Sequence, residues 1–142
     1  MKKRRVLFFC VHNSARSQMA EAWLRHLGGD AFEVESGGLE PGTVKPHAIA
    51  AMREAGIDIS KHQTRSVFEL FQAERSFDYV IALCDEVNAK RCPVFPDAAK
   101  LLHWDFPERP KERQVEAEQL THFRKVRDLI KHQVATWIAE KP

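Results

Sequence analysis

The sequence predicts an α/β fold: a single three-layer domain with a four-stranded parallel sheet flanked by helices. Three observations predict it. The apolar runs are short and continuous, which is typical of strands covered on both faces. They alternate with segments of helical period, as in β-α-β units with right-handed crossovers. The 142 residues suit one domain and include no linker-like stretch, so residues 1–142 are expected to form one unit.

The first half of the chain predicts two strands and three helices. The strands are Arg5–Phe9 and Phe32–Ser36, and the second one ends at Gly37-Gly38. The helix between them ends at Gly28-Gly29. Pro46 begins the next helix and Gly56 caps it, whereas Ser66 and Glu69 form a capping box for the third. The apolar positions of the three helices are, in order, Ala15, Met19, Ala22, Trp23 and Leu27; Ile49, Met52 and Ala55; and Val67, Leu70 and Phe71.

The second half predicts two strands, Tyr79–Leu83 and the weaker Lys100–Trp104, followed by a long amphipathic helix. The apolar face of that helix, with the stem of Arg127 included, comprises Leu120, Phe123, Ile130, Val134, Trp137 and Ile138. Each apolar face has a use within this fold, so a monomer is expected.

Charge and hydropathy exclude several classes of function. The net charge of +2 comes from well-mixed acidic and basic residues, which argues against a nucleic-acid partner. The N-terminal MKKRRVLFFC has too short an apolar part for a signal peptide, and no run approaches the roughly 20 apolar residues that span a membrane. We therefore expect a cytoplasmic protein that binds no membrane.

The three cysteines, Cys10, Cys84 and Cys92, are too few for a secreted disulfide framework. In a reducing compartment they are buried fillers, metal ligands or redox catalysts. No C-x2-4-C pair occurs and the histidines do not cluster near the cysteines at ligand spacing, so no metal site and no cofactor are expected.

The segment after the first strand has the form C-x5-R-S and precedes a helix. Such a loop directs several backbone N–H groups into one concavity at the positive end of the helix dipole. Arg16 adds a planar fork of donors for a tetrahedral anion, and these groups together should stabilise Cys10 as a nucleophilic thiolate. Ser17 can donate to the sulfur, and Asn13 and His12 can fix the shape of the loop.

The substrate-binding residues are predicted to be Val11, His12, Asn13, Ser14, Ala15, Arg16 and Ser17. The alternative is that Cys10 is only a small buried hydrophobe at a strand end.

The loop CVHNSARS, followed by QMAEA, resembles the low-molecular-weight protein tyrosine phosphatase superfamily and, within it, the thioredoxin-coupled arsenate reductases. The resemblance extends through VESGGLEP, HAIAAMREAGIDIS and the stretch from IALCDE to LLHWDFPERP. The phosphatases usually carry a proline after the loop serine and an Asp-Pro-Tyr acid loop, and both features are missing from this sequence. The resemblance therefore implies arsenate as the substrate, phosphate as a competing oxyanion and thioredoxin as the reductant, although glutathione with glutaredoxin stays open.

The resemblance also implies a relay of thiols. Cys10 attacks arsenic, Cys84 attacks the Cys10 sulfur, and Cys92 then forms a disulfide with Cys84. A regular helix over residues 84–92 would hold the two outer Cα atoms about 12 Å apart. A disulfide tolerates roughly 7 Å, so this segment should be a loop or a helix that unwinds.

A carboxyl group should assist the leaving hydroxide. Counted from His103-Trp104, Glu108 occupies the place of an aspartate in related reductases, although Arg109 stands where they have proline. Asp105 is the other candidate, and both could be solvated loop charges. Two other functions stay open beside arsenate reduction: a plain phosphatase, and a non-enzymatic thiol switch that binds oxyanions.

Overall fold

The four strands form one parallel sheet. The computed structural model of the chain describes residues 3–95, 100–106 and 116–142. The strands are β1 Arg4–Cys10, β2 Phe32–Gly38, β3 Tyr79–Ala82 and β4 Lys100–His103. The sheet order is β2-β1-β3-β4, and every neighbouring pair is parallel, as predicted.

The described residues also form five α-helices, and a 3₁₀ turn, Gly29–Ala31, leads into β2. The helices are α1 Arg16–Gly28, α2 Pro46–Glu54, α3 Val67–Gln72, α4 Glu86–Ala89 and α5 Glu116–Ala139. Helix α5 packs against α1 and α2, and α1 also packs against β1 and β2. No described helix is long and apolar enough to cross a membrane.

The core lies on both faces of the central strand β1. Four consecutive residues of this strand, Val6 to Phe9, are buried, which explains why the run shows no polar alternation. Trp137 of α5 packs against Phe32, Tyr79 and Trp104, with ring centroids 5.0–5.7 Å apart. The buried face of α5 comprises Phe123, Val126, Ile130, Val134 and Trp137.

Several details differ from the sequence prediction. Leu27 was predicted on the apolar face of α1 but is 37% exposed near the end of that helix. Ala55 is exposed because α2 ends at Glu54, and the buried positions of α2 are Ala48, Ala51 and Met52. Phe71 is 40% exposed, since the six-residue α3 turns only Val67 and Leu70 inward. The short helix α4 was not predicted. The caps agree: Ser66 accepts hydrogen bonds from two N–H groups of α3, and Gly56 has a φ of +84° after α2.

Candidate active site

The loop between β1 and α1 is fixed by its carbonyl groups, which point away from the cavity that it surrounds. Since the C=O and N–H of one trans peptide point in opposite directions, the N–H groups of residues 11–13 and 15 turn toward the cavity. The carbonyl groups accept hydrogen bonds in the pairs Cys10 with Leu39 (3.2 Å), Val11 with Glu40 (2.7 Å), His12 with Gly42 (3.0 Å) and Ser14 with Lys45 (2.8 Å). This backbone arrangement has the form of a cradle of hydrogen-bond donors for an oxyanion.

Close contact between this loop and the end of β2 requires a glycine. A Cβ atom on Gly38 would lie 2.9 Å from the backbone nitrogen of Asn13. Asn13 is fully buried and adopts a φ of +53°, which asparagine tolerates better than most residues. The chain that follows β2 can therefore pack directly against the loop and donate hydrogen bonds to its carbonyl groups.

A chain of side-chain hydrogen bonds ends at the sulfur of Cys10. The amide oxygen of Asn13 accepts from Gln18 Nε2 (3.1 Å) and from the backbone N–H of Arg65 (3.0 Å). Its amide nitrogen donates to Ser17 Oγ at 2.7 Å, and Ser17 Oγ lies 3.0 Å from Cys10 Sγ. A thiolate can only accept, so Ser17 donates to the ionised sulfur. These hydrogen bonds orient the hydroxyl proton of Ser17 toward the Cys10 sulfur.

The cradle opens into a cavity of about 180 Å³. Arg16 donates to the backbone carbonyl of Leu83 at 2.8 Å, which leaves its other N–H groups for a ligand. Helix α1 begins without a side-chain cap, so its first N–H groups are also available. The lining residues are Cys10, Val11, His12, Ser14, Ala15, Arg16, Lys45, His122, Phe123 and Val126, and among these described residues none is acidic.

The three thiols are all free, and two of them lie at the carboxyl edge of the sheet. Cys10 ends β1, and Cys84 follows β3 by two residues; both are buried, whereas Cys92 is half-buried. Burial raises the pKa of Cys84 to about 11, the charge on Cys10 adds to the rise, and Arg16 opposes it. Burial and then the charge on Cys84 raise the pKa of Cys92 to about 12. Cys84 therefore ionises less readily while Cys10 is charged, and Cys92 ionises less readily while Cys84 is charged.

The segment that connects Cys84 with Cys92 contains only one helical turn. Asp85 caps it by accepting from the N–H of Asn88 at 2.8 Å, and α4 ends three residues before Cys92. Arg91 pairs with Glu40 at 3.0 Å, which joins this segment to the chain lying on the loop. The structure thus avoids the continuous helix that would hold the two thiols too far apart.

The comparison with protein families agrees with this geometry. The model of the low molecular weight phosphotyrosine protein phosphatase family matches residues 5–141. The chain belongs to this family. Among its curated relatives, the arsenate reductase of Bacillus licheniformis is 42% identical over 92% of this chain and 91% of its own length. Arsenate reductase 2 of Staphylococcus epidermidis is 39% identical over 92% of this chain and 93% of its own.

The solved structures that resemble this chain include arsenate reductases. An arsenate reductase in an oxidized state is 34% identical, with a TM-score of 0.76 over 96% of this chain and 98% of that one. The thioredoxin-dependent arsenate reductase of Corynebacterium glutamicum is 26% identical, with a TM-score of 0.74 over 97% of this chain and 61% of that one.

Of the two carboxylates considered as proton donors, the structure describes only Asp105. Asp105 lies two residues after β4 and is exposed. Glu108 lies outside the described residues. Another carboxylate, Glu21, is buried below the loop, where it accepts from Ser36 (2.7 Å) and pairs with Arg25 (3.3 Å). Both carboxylate oxygens of Glu21 therefore have partners within the folded chain.

The cavity is also lined by residues from elements distant in the chain, which the sequence patterns did not predict. Lys45 precedes α2, whereas His122, Phe123 and Val126 come from α5. One signal could have found Lys45, because the beginnings of helices that follow parallel strands lie at the same edge as the strand ends. No local signal distinguishes the residues of α5, since their position depends on how that helix packs.

Proposed function

We propose that this chain reduces arsenate to arsenite with electrons from its own three thiols. The observation that carries the proposal is that Cys10 and Cys84 lie at the carboxyl ends of the neighbouring parallel strands β1 and β3, where the N–H of Leu83 donates to the carbonyl of Phe9 at 2.9 Å, and that a single helical turn separates Cys84 from Cys92. A hydrolytic phosphatase needs only the first thiol. The curated relatives named as arsenate reductases, at 42% and 39% identity, support the same conclusion.

In the first step the Cys10 thiolate attacks arsenic, and a hydroxyl group of arsenate takes up a proton and leaves as water. Arg16 and the loop N–H groups hold the oxygens, and Ser17 holds the sulfur in place. The proton comes from Asp105 or Glu108. Separate Asp105→Asn and Glu108→Gln variants, compared by single-turnover arsenite release, distinguish the two donors, and unchanged release in both would remove the proposed acid.

In the second step the Cys84 thiolate attacks the Cys10 sulfur. A sulfur–sulfur bond forms, the sulfur–arsenic bond breaks, and its electron pair leaves with arsenic as arsenite. Arsenic gains two electrons and the two thiols lose them.

In the third step Cys92 attacks Cys84 and releases the Cys10 thiolate. The order of the relay follows from thiol–disulfide exchange, because the Cys84 sulfur can be attacked by Cys92 only after Cys84 has formed its disulfide with Cys10. The product is a Cys84–Cys92 disulfide in a segment with a single helical turn.

Thioredoxin is proposed to reduce this disulfide, and a neighbouring structure is described as a thioredoxin-dependent arsenate reductase. Phosphate, which has the same shape and charge as arsenate, is proposed to compete for the cradle. The protein is proposed to act in the cytoplasm as a monomer.

A turnover assay with arsenate and a thioredoxin system tests the function. Cys10→Ser, Cys84→Ser and Cys92→Ser should each abolish multiple turnovers, because each thiol carries the electrons in one step. A plain phosphatase would instead hydrolyse a phosphate ester after replacement of both Cys84 and Cys92. A non-enzymatic switch would bind the oxyanion and form a disulfide without releasing arsenite repeatedly.

A further inference from the structure

We infer that Lys45 is a second substrate-binding cation, which recognises the second negative charge of a dianionic tetrahedral oxyanion. This inference rests on the proposed function, because it concerns the anion bound in the same cradle. It adds a residue that lies 29 positions after Arg16 in the chain and outside the C-x5-R-S loop.

The charges in the site leave room for a second cation. An arsenate or phosphate dianion beside the Cys10 thiolate brings three negative charges into one cavity, and Arg16 supplies a single full positive charge. The wall formed by Val11, Phe123 and Val126 is apolar, so charges there are poorly screened and their interactions are strong. A second cation would offset much of the remaining repulsion.

Lys45 lines this cavity and is held there by its backbone. Its N–H donates to the carbonyl of Ser14 (2.8 Å), and its C=O accepts from Ile49 (3.0 Å) as α2 begins at Pro46. Neither hydrogen bond uses the side chain. The root of the side chain therefore stays in place when that side chain is changed.

The ammonium group of Lys45 pairs with no carboxylate in residues 3–95, 100–106 and 117–142. Other cations are paired: Arg65 with Glu35 at 3.0 Å, and Arg124 with Glu54 at 2.6 Å. A half-buried lysine without an acidic partner, on a flexible stem at the rim of an anion cradle, has the chemistry of a ligand-binding group.

The test measures the dissociation constants of inorganic phosphate and sulfate for the reduced full-length protein at pH 6 and pH 8. Phosphate is mainly a monoanion at the lower pH and a dianion at the higher one, whereas sulfate is a dianion at both. Coulomb energy scales with charge, so Lys45→Met should weaken phosphate binding about tenfold at pH 8 and about threefold at pH 6. Sulfate binding should weaken about tenfold at both pH values.

Matched variants separate this inference from the proposed function. Lys45→Arg should restore binding to within about twofold, and Lys61→Met, which removes an exposed lysine outside the cavity, should leave it unchanged. Equal weakening of phosphate by Lys45→Met at both pH values, or no weakening, would overturn the role of Lys45. Arg16→Met should abolish phosphate binding, and wild-type binding by that variant would instead contradict the proposed oxyanion cradle.

Discussion

The hydroxyl oxygen of Ser17 lies 3.0 Å from the sulfur of Cys10 while accepting a hydrogen bond from the buried Asn13. The donor to the nucleophile is therefore positioned before any substrate binds. Preorganisation of this kind stabilises a charged group without a cost of reorientation during the reaction.

Ser17→Ala should slow the reaction of Cys10 with an alkylating reagent at neutral pH. A hydrogen bond to a charged group contributes about 1.5–3 kcal/mol, so the expected decrease is roughly ten- to hundredfold. Mass spectrometry of the Cys10 peptide measures the rate. Ser60→Ala, which changes an exposed serine outside the cavity, is the matched control, and an equal decrease in both variants would argue against the assigned contact.

Cys10→Ser should lower the pKa of Cys84, because the charge on Cys10 is one cause of its raised value of about 11. Cys84→Ser should likewise lower the pKa of Cys92 from about 12. Ultraviolet absorbance of the thiolate, followed against pH, measures both changes. Unchanged values would mean that burial alone sets them and that the thiols do not influence one another.

The same two thiols make the stability depend on pH. An unfolded cysteine ionises near pH 8.5, whereas Cys84 and Cys92 keep their protons to about pH 11 and 12. The folded state therefore binds more protons between these values, and the free energy of unfolding should fall as pH rises through this window. Denaturant unfolding of the reduced protein at pH 8 and pH 10 measures this decrease. The free energy of unfolding of Cys84→Ser should decrease less between the two pH values.

The sequence predicted the strands and most of the caps because their causes are local. The run Val6 to Phe9 indicated a strand covered on both faces, and Ser66 indicated the start of a helix. Phe123 could not be assigned to the cavity from local patterns, since its place there depends on the packing of α5 against α1 and α2. Phe71 shows the same limit: its spacing fits the apolar face of α3, but only the tertiary structure decides that it stays exposed.

Glu40→Gln should increase the rate of the final thiol exchange. The ion pair of Glu40 with Arg91 joins the Cys84–Cys92 segment to the chain on the loop. A restraint on this segment should slow the exchange, because a disulfide needs the two Cα atoms within roughly 7 Å of each other. Exposed ion pairs contribute about 1 kcal/mol or less, so the increase should be up to about fivefold. Stopped-flow release of the Cys10 thiolate measures it. The increase should shrink at high salt, where the pair is already screened, and a slower exchange would contradict a restraining role.

Ile130→Ala should destabilise the fold by about 2–5 kcal/mol, because the side chain is fully buried on the inner face of α5. Leu129→Ala changes the preceding residue, which is 48% exposed, and should cost well under half as much. Chemical denaturation of both variants compares them. Equal losses would contradict the orientation of α5.

The relay from Cys10 through Cys84 to Cys92 is tested most directly by mapping disulfides after one equivalent of arsenate, without an added reductant. The wild-type protein should contain a Cys84–Cys92 disulfide and a free Cys10, and it should release one equivalent of arsenite. Cys92→Ser should release the same single equivalent and accumulate a Cys10–Cys84 disulfide. Release of arsenite by Cys92→Ser with Cys10 and Cys84 both still reduced would contradict the relay.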